Sequence, residues 1–142
     1  MSERIPSDHA SVTGLRATIA RSGGTRRPCL RLPDDVAVDE GDILRLLLDG
    51  ATTHARVVSD STGLLVRGAY DNERLAREPR EGENRLVAWC GDHDRDPGDA
   101  VELDELDPGF CYGLREPGER VVYDVPGRPD QSLRDIASSF RE

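Results

Sequence analysis

A small, mainly β barrel is the fold that the sequence predicts, on three observations. Short apolar runs recur at close, even spacing, separated by glycine- and aspartate-bearing turns; that spacing suits strands closing into a barrel better than a helical or doubly wound fold. Two segments, residues 38–46 and 95–103, align without gaps, and each places an acid, one further residue and Gly-Asp ahead of a strand. Length is the third, since 142 residues make one domain with tails at about 100–150 residues per domain. Hydrophobic residues are 36% and aromatic ones 4% of the chain, so aliphatic side chains must carry the core.

Taken in order, residues 1–13 are polar, lack periodicity and contain Pro6, which predicts a flexible N-terminal arm. Leu15, Ala17 and Ile19 then alternate with Arg16 and Thr18, the period of a strand with one buried face. Ser22-Gly23-Gly24 breaks that strand, and Cys29-Leu30-Arg31-Leu32 resumes as a second, stopped by Pro33. Pro33–Val36 suits a single turn, residues 38–42 a tight one. Residues 43–48 form an apolar strand ended by the hairpin signal Asp49-Gly50. Strands follow over 53–58 and 64–66, separated by Asp60-Ser61-Thr62-Gly63. Asn72 and Asn84 are N-cap candidates for two short helices, residues 73–78 and 85–90. Strand signals return over 100–103, 110–114 and 120–125, where the barrel domain, 14–126, ends. In 127–142, Leu133, Ile136, Ala137 and Phe140 fall at helical spacing, predicting an amphipathic C-terminal helix that docks on the barrel or binds a partner protein.

No apolar run reaches the length of a membrane span and the first residues lack a signal-peptide core, so a cytoplasmic protein with no membrane partner is expected. Net charge is −9, from 28 acids against 19 cations, every one an arginine. Such a balance repels phosphate backbones. However, acidic, lysine-free composition with 17 aspartates resembles halophilic archaeal proteins, and in molar salt the Debye length falls to about 3 Å. Local arginine placement then says more than net charge. Residues 14–31 hold Arg16, Arg21, Arg26, Arg27 and Arg31 and no acid, the largest charge asymmetry in the chain. Pairing of these arginines with carboxylates elsewhere on the surface is the alternative reading.

The stretch 18–36, with its glycine-containing basic loop and its strand ending in Leu32-Pro33, followed by Glu40-Gly41-Asp42-Ile43-Leu44-Arg45-Leu46, resembles the AbrB/SpoVT swapped-hairpin transcription-factor family. The Gly-Asp element is shared with the wider cradle-loop barrels, double-psi barrels included. The resemblance covers about a third of the chain, and the second Gly-Asp, Gly98-Asp99, suits a monomeric barrel of two such repeats, whereas AbrB-type chains are usually half-barrels that form a homodimer. It implies a cradle-loop barrel, double-psi or swapped-hairpin-like, that contacts DNA through Arg16, Arg21, Arg26, Arg27 and Arg31. Gly23 and Gly24 would let the backbone approach the duplex, while Gly41, Asp42, Gly98 and Asp99 shape the turns. Arginine forks suit phosphate and the guanine edge. The leading expectation is therefore a DNA-binding regulator, against a protein-binding adaptor barrel and a small enzyme with an acidic site.

Other signals weigh less. Cys29, Cys90 and Cys111 are an odd set in unrelated contexts, read as small buried hydrophobes and not as a disulfide framework. Cys90, His93 and Cys111 lack a well-spaced fourth zinc ligand. Asp92, Asp94 and Asp96 resemble a calcium loop, but Pro97 and Leu103 stand where Gly and Glu are required. Phe110 and Tyr112, between glycines, read as core strand residues before base-stacking ones. No phosphate-cradling or dinucleotide fingerprint is present, and His9, His54 and His93 have no nucleophile in a recognisable elbow. No cofactor, metal or catalytic residue is expected.

Overall fold

Alternation along the chain decides which strands line the core of the computed structural model, which describes residues 2–21 and 27–126. The elements are β1 (Ser2–Pro6), β2 (Thr13–Ala20), β3 (Cys29–Arg31), β4 (Ile43–Leu48), β5 (Ala51–Ser59), β6 (Leu64–Val66), helices α1 (Glu73–Arg77) and α2 (Arg85–Asp92), β7 (Ala100–Asp107), β8 (Cys111–Arg115) and β9 (Val122–Pro126). A single 3₁₀ turn, Pro79–Glu81, separates the helices. Seven strands close a barrel in the order β2-β3-β6-β5-β4-β8-β7, and β1 pairs with β9 as a separate ribbon. Closure within one chain means that no second copy is needed to complete the barrel.

On β2 the inward residues are Leu15, Ala17 and Ile19, and on β4 they are Leu44, Leu46 and Leu48. Val57, Val66, Val101, Leu103, Tyr112 and Leu114 fill the same interior, each large aliphatic among them contributing about 1.5–3 kcal/mol relative to exposure. The β4–β5 hairpin turns on Asp49 (φ 49°) and Gly50 (φ 85°). Positive φ at both central residues matches the right-handed twist of the flanking strands. The helices start where their asparagine caps stand: the Asn72 side chain accepts from Leu75 N–H at 2.9 Å, and that of Asn84 accepts from Leu86 and Val87 N–H. Leu86, Trp89 and Cys90 bury the inner face of α2.

The two acid-x-Gly-Asp segments fold alike. Asp42 N–H donates to Asp39 C=O at 3.1 Å, and Asp39 N–H to the Asp42 carboxylate at 2.9 Å. In the second, Asp99 N–H donates to Asp96 C=O at 2.9 Å, and Asp96 N–H to the Asp99 carboxylate at 2.8 Å. Gly41 (φ 96°) and Gly98 (φ 102°) occupy the left-handed position that a side chain would strain. Each turn also grips one residue of the strand beside it: Gly41 and Asp42 exchange hydrogen bonds with Val57, and Gly98 and Asp99 with Ile19. β4 then runs against β5 as β7 runs against β2, while β3 pairs with β6. A pseudo-twofold thus relates β2-β3-β4 to β5-β6-β7.

Two expectations on the termini meet different outcomes. Residues 1–13 are not a loose arm throughout, because β1 pairs with β9 from Ser2–Pro126 to Pro6–Val122. The ribbon lies on the outer face of the barrel, where Tyr123 and Val125 pack with Leu47 and Cys111, and Ile5 and Leu106 join them. One apolar residue on β1 suffices for that contact, which is why its sequence lacks periodicity. The C-terminal amphipathic helix, 127–142, lies outside the described residues, as do Gly23, Gly24 and Arg26. Among the described residues, no helix is long and apolar enough to cross a membrane.

Candidate anion-binding site

The two halves of the barrel differ at two connections. Residues 60–63 join β5 to β6 as a tight turn closed by Asp60 N–H on Gly63 C=O at 3.0 Å, whereas the equivalent β2–β3 connection runs over 21–28. Residues 32–42 link β3 to β4, whereas 67–99 link β6 to β7 and carry both helices. These two enlargements, one in each half, meet at a cavity of about 270 Å³. Arg27 and Pro28 line it from the long loop and Cys29 from the start of β3. Arg67, Tyr70, Pro79, Arg80 and Asn84 line it from the helical connection. Three arginines from three parts of the chain thus line one cavity, and among the described residues its lining holds no carboxylate.

Asn84 holds the wall together. Its side-chain oxygen accepts from Ala69 N–H at 3.2 Å as well as from the α2 amides, and its amide donates to Arg67 C=O at 3.1 Å. Gly68 lies beneath: a Cβ there would fall 2.5 Å from Asn84 Nδ2 and 2.7 Å from the Tyr70 hydroxyl oxygen. Tyr70 is nearly buried; burial pushes its phenol up and the charge of Arg27 opposes this, which places that guanidinium within electrostatic reach of the ring hydroxyl. Arg80 makes no hydrogen bond or ion pair among the described residues.

Elsewhere arginines meet carboxylates. Arg45 pairs with Glu73 at 3.0 Å, Arg85 with Asp71 at 3.0 Å and Arg120 with Asp8 at 3.0 Å. Arg31 belongs with these. It makes two hydrogen bonds to Asp60, at 2.8 and 2.7 Å, and reaches Gly63 C=O at 3.3 Å. Its guanidinium and two amides of the turn hold the Asp60 carboxyl well below the usual carboxylate range. The bidentate pair occupies the Arg31 guanidinium, so that a phosphate would have to displace an oriented carboxylate to reach it. Arg16 is exposed on β2, opposite Glu102 of β7. Arg21 is exposed at one foot of the long loop and Arg27 at the other.

The remaining candidates do not assemble. Cys29, Cys90 and Cys111 are free and buried, and burial pushes the Cys90 and Cys111 thiols up to about 11 and about 12, as suits inert structural residues. Cys90 packs in the barrel core and Cys111 under the ribbon, so neither joins His93 on a metal. Phe110 packs under the ribbon and receives Arg45 on its ring face at 5.1 Å, and Tyr112 is fully buried in the barrel. His54 pairs through its backbone with Tyr70, and burial lowers its pKa, leaving a neutral ring. His9 is exposed and bonded to Ser11 at 2.7 Å.

His93 makes a different cluster. It stacks on Trp89 with centroids 4.3 Å apart, Nδ1 lies 2.7 Å from Glu116, and Nε2 lies 2.9 Å from Asp49. Burial disfavours the imidazolium, but hydrogen bonds to Glu116 and then Asp49, with their charges, outweigh it and raise the pKa. The bridge ties the β4–β5 hairpin to the β8–β9 loop only while the ring is protonated. A raised folded pKa gives stability that is fully present below the unfolded value, about 6.5, and is lost as pH rises through the folded value. Thermal melts from pH 5 to 9 should therefore fall across that window in the parent chain and flatten in His93→Gln. Equal pH profiles would exclude the bridge. Atoms of His93, Glu116 and Glu119 lie within 4.8 Å of one another, with Nδ1 of His93 already bonded to Glu116.

A model of one protein family matches residues 1–140, nearly the whole chain. The chain belongs to DUF7112, a family of unknown function. No curated protein and no solved structure matches it. For a DUF7112 chain, the site must therefore be argued from its own chemistry. Of the residues that line the cavity, the charge asymmetry in the sequence singles out Arg27 and not Arg67, Arg80 or Asn84. The signal for these lay in the helical connection, whose place against the long loop is set by β3–β6 pairing.

Proposed function

We propose that this protein is a DNA-binding, regulator-like barrel of the cradle-loop kind, related in plan to swapped-hairpin and double-psi barrels, which grips the phosphate backbone where its two halves differ. The observation that carries this reading is the convergence of Arg27, Arg67 and Arg80 on one cavity with no carboxylate among its described lining residues, in a chain of net charge −9. The Gly-Asp turns and the exchange of strands between repeats support the cradle-loop plan. Arg21, Arg26 and Arg27, with Gly23 and Gly24 among them in sequence, are the residues we assign to the duplex. Arg67 and Arg80 extend the cationic surface across the cavity mouth, and Arg16 lies further along β2. Guanidinium forks hold phosphate oxygens bidentately, and such contacts position a protein on DNA without reading sequence.

The test is fluorescence anisotropy of a labelled duplex over a KCl series. The double variant Arg21→Ala, Arg26→Ala should bind at least about tenfold more weakly and reduce the slope of log K against log salt by about 2, with its melting temperature unchanged. Identical affinity and slope in variant and parent, or no duplex binding by the parent at any salt, would reject the reading.

A further inference from the structure

We propose that the arginine-lined cavity binds a phosphate monoester carried on a planar ring, a nucleoside monophosphate or the 5′-phosphorylated end of a nucleic-acid strand. This rests on the anion-binding reading of the same face but names a ligand that an internal phosphodiester does not supply. Three features of the cavity lead to it. Charge comes first: a monoester is close to a dianion at neutral pH with three acceptor oxygens, and Arg27, Arg67 and Arg80 bring three guanidinium groups to one place. Size comes second. About 270 Å³ lies just below the range of roughly 300–1,000 Å³ for drug-sized ligands, room for a phosphate and one ring and not for a dinucleotide. A phosphodiester chain has to enter and leave its site, while a monoester can end in it.

The walls are the third feature. Pro28, Pro79 and the Tyr70 ring give apolar surface beside the guanidinium groups, so a flat ring has something to lie against while its phosphate is held. The floor is fixed independently of any ligand, because Asn84 is bonded to Ala69 N–H, to Arg67 C=O and to the first turn of α2. A preformed wall lowers the ordering cost of binding.

Calorimetric titration of the full chain over a KCl series tests this with four probes: AMP, adenosine, a short single strand carrying a 5′-phosphate, and the same strand with a 5′-hydroxyl. Saturable binding is expected for AMP, for the 5′-phosphorylated strand, or for both, and none for either unphosphorylated partner. Which one binds identifies the source of the monoester. Arg80→Gln, at an exposed position outside the barrel strands, should weaken that binding about tenfold with an unchanged melting temperature. Arg67→Gln should act in the same direction. Adenosine binding as well as AMP, no saturable binding of either phosphorylated probe, or full affinity in the Arg67→Gln, Arg80→Gln double variant would overturn the proposal. A hairpin duplex with a 5′-hydroxyl, run alongside over the same series, separates the two readings. If it binds and the monoesters do not, the cavity proposal falls and the backbone reading stands; the reverse result leaves the cavity and removes the backbone.

Discussion

Asp104→Ala should cost about 3–5 kcal/mol of folding stability, the range for removing one partner of a buried ion pair. Asp104 is fully buried on the outer face of β7. Its carboxylate accepts from Arg115 Nε at 2.7 Å and Nη2 at 3.3 Å, and from the Tyr123 hydroxyl at 2.6 Å. Burial first, then the bond to Asp104, pushes the Tyr123 phenol far above its usual value, so the hydroxyl stays a donor at any working pH. Without Asp104, the buried Tyr123 hydroxyl loses its acceptor, and the mostly buried Arg115 guanidinium keeps Glu119 C=O at 2.9 Å but no counter-charge. The attachment of the β1–β9 ribbon goes with them, since Tyr123 belongs to β9. Denaturant titration should show a lower midpoint, with a shallower slope where the ribbon has come away from the native barrel. Pairing the change with Arg115→Met should recover part of the loss, because an apolar pair leaves no unpaired charge. A loss below about 1 kcal/mol in the single variant would contradict this account of the ribbon.

Gly113→Ala should be the next most damaging single change. Gly113 lies on β8 with the Tyr123 ring against its backbone, so an added methyl would fall inside contact distance of Cε1 and Cζ of that ring. Tyr123 cannot swing away without leaving Asp104. Overpacking of this kind costs about 1–3 kcal/mol and occasionally more, and here the hydrogen bond adds to it. A double-mutant cycle separates the causes: in a Tyr123→Ala background, Gly113→Ala should cost under about 0.5 kcal/mol. Equal costs in both backgrounds would place the effect in the strand itself and not in the ribbon contact.

Local signals made most of the fold legible. The alternation Leu15, Ala17, Ile19 marks the inner face of β2, Asp49-Gly50 marks the β4–β5 hairpin, and Asn72 and Asn84 mark the helix starts. In each case the residue that decides the structure lies within a few positions of the structure it decides. β1 was not legible because its partner is β9, at the other end of the described chain, and its only large apolar residue is Ile5. The fate of Arg31 was hidden for a similar reason. Its charge reads as available until β5 and β6 bring Asp60, 29 positions away, onto its guanidinium. The cavity was legible only in part: Arg27 stands out as acid-free charge, while Arg67 and Arg80 become its neighbours only when β3 pairs with β6.

The most direct test of the central claim is amide chemical-shift mapping of the labelled chain during titration with duplex DNA. The account predicts shifts at Arg21, Arg27, Arg67 and Arg80 and in the connections that carry them, with the His93–Glu116 bridge and the β1–β9 ribbon unchanged. Shifts centred on the ribbon or the acidic His93 face, or no shifts under conditions where the barrel is folded, would contradict it.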